Sequence, residues 1–132
     1  MSSQAAAVGP ATVSPVHPGT AETLNLVLAQ LEDAKAEDTI TIDLTGKSTI
    51  GDYMVVTSGR SNRQVGAIAD RLLKALSKAG AGRVRVEGMP HCDWVLIDAS
   101  DIIVHVFRPE VRAFYNIEKM WAADLAQDRR VS

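Results

Sequence analysis

Cysteine is almost absent from this chain of 132 residues, which contains only Cys92. One cysteine cannot form an intramolecular disulfide, so a secreted fold held by disulfides is excluded and a reducing compartment is favoured. The chain also lacks a run approaching the roughly 20 apolar residues of a membrane-spanning helix. Its N-terminus has neither the charged nor the apolar region of a secretory signal. We therefore expect a soluble, cytoplasmic protein with no membrane partner.

An excess of positive charge is lacking as well, because 14 basic residues face 16 acidic residues and leave a formal net charge of −2. No overall positive field is available to drive phosphate binding through counterion release, so we expect no direct, sequence-specific contact with nucleic acid. Hydrophobic residues make up 46% of the chain and charged residues 23%, which is typical of a folded globular protein. The length fits a single domain.

The N-terminal segment, residues 1–19, contains three of the five prolines. Its apolar residues follow neither the two-residue period of a strand nor the 3.6-residue period of a helix, which predicts a flexible tail. Residues 20–127 are predicted to form one α/β domain, and residues 128–132 a frayed C-terminus.

Apolar periodicity and turn residues predict helices and strands in the order α-β-β-α-β-β-β-α. The predicted elements are a helix at 20–36 capped by Thr20, strands at 39–44 and 53–57, a helix after Ser61, strands at 84–86, 94–98 and 102–107, and a helix from Pro109. The second helix has the strongest signal, because Ser61 and Gln64 match a capping box, in which side chains bind free backbone amides at the helix start. Asn116 is predicted to interrupt the last helix.

The last two predicted strands form a hairpin that turns at Ala99 and Ser100, which places Trp94 opposite His105. Side chains alternate between the two faces of a strand. One face is wholly aliphatic and is predicted to be core: Val95, Ile97, Ile102, Val104 and Val106. The other face mixes aromatic, aliphatic and ionisable side chains: Trp94, Leu96, Asp98, Ile103, His105 and Phe107.

Trp94 has two interpretations. It shares its face with Asp98 and His105, which are poor core residues, and such a mixture of apolar and polar side chains is typical of a binding surface. Large aromatic residues are also commonly buried, so docking and burial both stay open for Trp94 from the pattern alone. Trp121 lies at helical spacing from Phe114 and Ile117, which favours a place in the core.

Two acidic residues, Asp98 and Asp101, flank the predicted hairpin turn and could form a metal-binding or acid–base pair. Aspartate is also a common turn residue that binds its own backbone, and this second interpretation is favoured. The segment 46–48, Gly-Lys-Ser, is similar to the end of a phosphate-binding loop, but Thr41 stands where the motif requires an earlier glycine. This segment is interpreted as a turn.

A metal site or a nucleophile that involves Cys92 is only weakly indicated. His91, Cys92 and Asp93 are adjacent and His105 offers a further nitrogen, but neighbouring side chains of an extended chain point in opposite directions. A nucleophile pair of Cys92 and His105 has no visible oxyanion hole or third partner. We therefore expect no metal, no cofactor and no catalytic residue.

Several segments together carry a resemblance to a known family. They are residues 51–59 (GDYMVVTSG), 61–65 (SNRQV), 92–98 (CDWVLID), 101–105 (DIIVH) and 107–116 (FRPEVRAFYN). The chain closely resembles the Iojap/RsfS family of ribosomal silencing factors over residues 20–125. The two tails fall outside the resemblance, and the proline-containing N-terminal tail is longer than the family pattern.

The resemblance implies a mixed five-stranded sheet flanked by helices, with a nucleotidyltransferase-like topology but no catalytic activity. It implies binding to the large ribosomal subunit through the universally conserved fourteenth protein of that subunit. Joining of the small subunit would be blocked sterically, which represses translation under nutrient limitation. Related organelle proteins assist ribosome assembly, and a homodimer of the free protein is compatible with the family.

Carried onto this chain, the family's partner-binding side falls on the mixed face of the hairpin and on the start of the last helix. The residues concerned are Trp94, Leu96, Ile103, His105, Phe107, Arg108, Glu110, Arg112 and Tyr115. Two other functions stay open: a large-subunit assembly factor and, with less support, a nucleotidyltransferase-like enzyme. The chain lacks the Gly-Ser and Asp-x-Asp motifs that a nucleotidyltransferase would need.

Overall fold

A computed structural model describes residues 19–45, 51–117 and 119. Within these residues the elements follow the predicted order: α1 (Thr20–Asp33), β1 (Glu37–Asp43), β2 (Tyr53–Ser58), α2 (Asn62–Lys78), β3 (Arg85–Glu87), β4 (Trp94–Asp98), β5 (Ile102–Phe107) and α3 (Pro109–Tyr115). The predicted tail before Gly19, the turn at 46–48, the core position of Trp121 and the frayed C-terminus lie outside the described residues. None of the described helices is long and apolar enough to cross a membrane.

The strands form one sheet in the order β1-β2-β5-β4-β3. β2 and β5 are parallel, and the other three neighbouring pairs are antiparallel. The prediction of a mixed five-stranded sheet flanked by helices is therefore confirmed. The nucleotidyltransferase-like topology stays a prediction, because the strand order alone is not specific to that class.

The Ser61 half of the predicted capping box at the start of α2 is present, whereas the Gln64 side chain binds the amide one residue before the N-cap. The Ser61 hydroxyl accepts a hydrogen bond from the Gln64 amide at 3.1 Å, and the Gln64 side chain accepts one from the Arg60 amide at 2.7 Å. These bonds satisfy backbone donors that have no partner within the helix. The signal in the sequence was therefore sufficient to fix where α2 begins.

The first helix departs from its predicted ends. Gly19, not Thr20, is the N-cap, with a left-handed φ of 86°. Thr20 is the first helical residue and is buried, and its hydroxyl donates to an Asp101 carboxylate oxygen at 3.1 Å. The helix stops at Asp33 instead of Ala36, because Lys35 takes a left-handed conformation with φ 64°. A tertiary contact thus replaces the local cap that the sequence suggests.

The core lies between the sheet and the pair of helices α1 and α2. All five side chains of the predicted aliphatic face are fully buried there: Val95, Ile97, Ile102, Val104 and Val106. They pack against apolar side chains from the inner stripes of the two helices: Val27, Leu31, Val65, Ile68, Leu72 and Leu76. Full burial stabilises the fold by roughly 1.5–3 kcal/mol for each such side chain.

The predicted register of the β4–β5 hairpin is wrong by two residues. Trp94 lies opposite Phe107, and His105 lies opposite Leu96. The chain reverses one residue later than expected, because Ser100 takes a left-handed conformation with φ 73° and the Ala99 amide bonds the Ile102 carbonyl at 2.9 Å. A shift of two residues preserves the alternation of side chains, so the predicted division into faces is unchanged.

Gly88 follows β3 at a position where the backbone leaves no room for a side chain. Its φ of +93° lies in the left-handed region, and a Cβ built on it would overlap the carbonyl oxygen of Trp94. Gly82 has a similar φ of +79°, but a Cβ there would meet no atom within 4 Å. The two glycines therefore separate the cost of backbone strain from the cost of a steric clash.

We expect Gly88→Ala to lower the free energy of unfolding by about 3 kcal/mol or more, because strain and overlap with Trp94 act together. Gly82→Ala should cost only about 1 kcal/mol, from strain alone. Urea unfolding followed by circular dichroism measures both values. Equal losses of unfolding free energy in the two variants would show that the close approach of Gly88 to Trp94 does not affect stability.

Candidate docking site

A second apolar cluster occupies the face of the sheet that is opposite α1 and α2, here called the Trp94 face. Its buried members are Ile42, Leu44, Met54, Val56 and Phe107, and Trp94, Val111 and Ile117 pack against them while partly buried. Val111 belongs to α3, so this short helix covers part of the face. α3 does not reach the rest of the Trp94 face.

Trp94 is the centre of a group of aromatic rings. Its ring centroid lies 4.8 Å from those of Phe107 and Tyr115, and 5.9 Å from that of His105. Offset and tilted aromatic contacts of this kind contribute about 0.5–1.5 kcal/mol beyond simple burial. Phe107 is fully buried, whereas Trp94 is half-buried and keeps part of its indole on the surface. Both interpretations of Trp94 are therefore partly right: one part of the indole is buried against Phe107, and the other part is exposed and available for docking.

One hydrogen bond fixes the orientation of the indole. The Trp94 Nε1–H donates to His105 Nδ1 at 2.9 Å. Since Nδ1 accepts this bond, the geometry assigns the neutral tautomer with its proton on Nε2. Burial lowers the pKa of His105 from 6.5 to about 4, because the charged imidazolium loses its hydration. The polar edge of Trp94 is thus satisfied inside the protein, and its exposed part is hydrocarbon.

An ionic network joins α3 to the rest of the domain. Arg108 donates from Nε to Asp93 at 2.9 Å and from Nη1 to Glu110 at 2.8 Å. Asn62, the first residue of α2, donates to the same Asp93 oxygen at 2.7 Å. Asp93 therefore connects the starts of α2, β4 and α3, and it directly precedes Trp94 in the chain.

Two further contacts hold α3 in place. Arg112 donates to the buried hydroxyl of Ser58 at 2.8 Å, which ties the helix to the end of β2. Asn116 ends the helix with a left-handed φ of 54°, a conformation that asparagine tolerates better than most residues. The predicted interruption at Asn116 is confirmed. Beyond these contacts, Phe114 and Tyr115 remain 79% and 49% exposed.

The structure divides the predicted partner-binding residues into two layers. The residues with surface to offer are Trp94, Leu96, Arg108, Glu110, Arg112 and Tyr115. Ile103, His105 and Phe107 are 7%, 8% and 0% exposed, so their predicted place on the surface is wrong. All three belong to β5, the central strand of the sheet, whereas β4 has on its outer edge only the three-residue strand β3, which pairs with residues 96–98. They form the floor beneath Trp94.

Sequence reasoning overlooked two exposed residues near this site. Phe114 was not among the predicted site residues, and its ring is 79% exposed on the seven-residue helix α3. Glu87 lies beside Trp94 and Leu96 at the edge of the sheet. Its position depends on the pairing of β3 with β4, which periodicity in a three-residue strand could not reveal.

The residues suggested for catalysis have structural roles. The Asp98 carboxylate accepts a hydrogen bond from the Ser100 amide at 2.9 Å, which confirms the turn interpretation. The Cys92 thiol donates to the Met89 carbonyl and packs on the α2 side, away from His105. Among residues 19–45, 51–117 and 119, no three His, Cys, Asp or Glu side chains are grouped to hold a metal ion.

Comparison with known proteins gives a consistent family. A model described as "Ribosomal silencing factor during starvation" (RsfS) matches residues 17–132. The chain is 54% identical to "Ribosomal silencing factor RsfS" of Zymomonas mobilis over 110 residues, which cover 83% of this chain and 82% of that protein. It is 29% identical to a mouse protein named "Mitochondrial assembly of ribosomal large subunit protein 1", over 80% of this chain and 47% of that protein.

Solved structures agree with the fold described above. A crystal structure of a protein from Chromobacterium violaceum superposes with a TM-score of 0.75 at 40% identity and covers 77% of this chain and 85% of that one. A second, from Bacillus halodurans, has a TM-score of 0.70 at 39% identity and covers 77% and 95%. The α/β architecture is therefore shared with experimentally determined relatives.

Burial of neutral His105 makes a prediction about acid stability. The unfolded chain takes up a proton on this residue near pH 6.5, but the folded chain only near pH 4. The unfolded state thus binds more protons between these values, so stability falls as the pH is lowered through them. At about 1.4 kcal/mol per pH unit, the loss that His105 contributes by pH 4 is roughly 3 kcal/mol.

We expect His105→Asn, whose side-chain oxygen can accept from Trp94 at every pH, to lose much less stability than the parent between pH 6.5 and 4. His91→Asn serves as the matched control, because His91 is exposed, and it should follow the parent. Urea unfolding at a series of pH values measures the difference. If His105→Asn kept the full acid dependence of the parent, the buried neutral imidazole would not be its source.

Proposed function

Because the chain belongs to the RsfS family of ribosomal silencing factors, we propose that it binds the large ribosomal subunit through the Trp94 face and blocks joining of the small subunit. The protein surface it would meet is the universally conserved fourteenth protein of the large subunit. The effect would be steric repression of translation in the cytoplasm when nutrients are limiting. Trp94 carries this proposal, as a half-buried indole held rigidly at the centre of an otherwise well-packed face.

The construction of the Trp94 face supports a protein contact. An indole fixed by neighbouring rings loses little side-chain entropy on binding, which favours affinity. Tryptophan, tyrosine and arginine are the residues most enriched among those that dominate binding energy, and all three occur here as Trp94, Tyr115 and Arg108. The ion pairs of Arg108 with Asp93 and Glu110 form a polar rim beside the indole.

Charge also favours a protein partner over ribosomal RNA. A chain of formal charge −2 gains little from counterion release at phosphates. Shape and apolar contact would then supply the affinity, with charge complementarity setting the orientation of docking. The proposed mechanism is occupancy of a surface and includes no chemical step. A homodimer of the free protein stays a prediction.

A role in assembly of the large subunit is the second candidate. It is favoured by the name of the mouse relative, which refers to assembly of the mitochondrial large subunit. A protein that binds the completed subunit could bind a late precursor through the same face. Accumulation of large-subunit precursors on deletion of the gene, without a change in subunit joining, would favour assembly over silencing.

Replacement of Trp94 by alanine should weaken binding to purified large subunits by about 30-fold, which corresponds to roughly 2 kcal/mol. Val86→Ala is the matched control, because Val86 is 38% exposed on the adjacent strand but projects to the opposite face. Co-sedimentation across a concentration series measures both affinities. Binding of Trp94→Ala as tight as that of the parent would rule out the Trp94 face as the docking surface.

Subunit joining tests the proposed consequence of docking. Large subunits saturated with the parent protein should associate with small subunits far less than free large subunits do, as followed by light scattering. Large subunits mixed with Trp94→Ala at the same concentration should associate nearly normally. Undiminished joining in the presence of bound parent protein would leave binding without silencing and would favour the assembly role.

A further inference from the structure

A shallow depression lies next to Trp94 at the β3 edge of the sheet. Glu87, Gly88, Trp94 and Leu96 line it, and its volume is about 320 Å³. Glu87 pairs with Leu96 across the β3–β4 ladder, so the two side chains lie on the same face as Trp94. The depression thus combines apolar walls with one carboxylate.

The Glu87 carboxylate is the charge that the Trp94 face leaves unbalanced. It is exposed, and within residues 19–45, 51–117 and 119 it makes no hydrogen bond or ion pair. Arg108, on the other side of Trp94, is already paired with two carboxylates. Arg85 lies two residues from Glu87 on the same face and directly opposite Asp98, so one cation stands beside two carboxylates there. The edge beside Trp94 is left with a net negative charge.

Gly88 maintains the shape of this depression. A side chain at Gly88 would overlap the carbonyl oxygen of Trp94, so β3 and β4 approach closely only with glycine there. The close approach holds Glu87 beside the indole and leaves an open space between them. The carboxylate and the aromatic surface can therefore contact one side chain of a partner at the same time.

We propose that this depression receives an arginine side chain of the large-subunit protein on which Trp94 docks, an inference that rests on the proposed function. A guanidinium stacks on an indole and forms paired hydrogen bonds with a carboxylate, which a compact ammonium cannot match. The methylene groups of arginine would pack on Leu96. Glu87 would then determine specificity for a cationic partner, whereas Trp94 supplies the apolar contact.

A phosphate group of ribosomal RNA fits the same depression poorly. A carboxylate repels a phosphate, and the nearest cation on this strand, Arg85, is opposed by Asp98. An RNA contact here would therefore be strengthened by removal of the Glu87 charge, whereas an arginine contact would be weakened. The sign of the change in affinity distinguishes the two partners.

The test compares the parent with Glu87→Gln, which keeps the shape of the side chain, and with Glu87→Lys. Glu32→Gln is the control, because Glu32 is an exposed carboxylate on α1, on the opposite side of the sheet. Fluorescence anisotropy of labelled protein, titrated with purified large subunits at two ionic strengths, gives each Kd. We expect Glu87→Gln to raise Kd about tenfold, Glu87→Lys to raise it about a hundredfold or more, and Glu32→Gln to leave it unchanged.

Salt dependence provides a second readout. Added salt should weaken binding of the parent more than binding of Glu87→Gln, because the screened contact is absent from the variant. Thermal unfolding midpoints establish whether each variant is folded. If Glu87→Lys does not fold, the affinity of Glu87→Gln alone tests the arginine contact.

The possible results separate this inference from the proposed function. If Trp94→Ala weakens binding while Glu87→Gln binds like the parent, the arginine contact is wrong and docking through the Trp94 face stands. Tighter binding by Glu87→Gln and Glu87→Lys would indicate a phosphate at this position and would overturn the inference. Failure of the parent to bind large subunits would overturn both proposals.

Discussion

The antiparallel pairing of β4 with β5 is the constraint on which the rest of the structure depends. Alternation along these strands sends aliphatic side chains toward α1 and α2 and sends Trp94 and its aromatic neighbours to the opposite face. A slip of one residue would exchange the two sets and expose the core. The burial that stabilises the domain therefore also determines which face presents Trp94, the proposed docking surface.

Polar contacts complete the Trp94 face, and they act mainly on orientation. The hydrogen bond from Trp94 to His105 fixes the indole, and the bonds of Asp93 with Asn62 and Arg108 fix the start of α3 beside it. Exposed ion pairs of this kind contribute little to overall stability. In the proposed docking, their value is that the aromatic surface is arranged before a partner arrives, which lowers the entropy cost of binding.

Much of this arrangement could be predicted from sequence, because it follows from short-range patterns. Period-two alternation divided the hairpin into faces correctly, and Ser61 with Gln64 located the start of α2. The register was missed because it depends on the left-handed conformation of Ser100, which a serine rarely adopts. Burial of His105 and Phe107, and the position of Glu87 beside Trp94, depend on which strands are neighbours in the sheet. Those contacts join distant parts of the chain and leave no periodic signal.

The measurement that tests the central claim most directly is site-specific photo-crosslinking from position 94. A photo-reactive phenylalanine analogue in place of Trp94 would be compared with the same analogue in place of Val86, on the opposite face of the sheet. After mixing with purified large subunits, position 94 should crosslink to one large-subunit protein, expected to be the universally conserved fourteenth, and position 86 should not. Equal crosslinking from both positions, or crosslinks from position 94 to ribosomal RNA alone, would contradict docking through the Trp94 face.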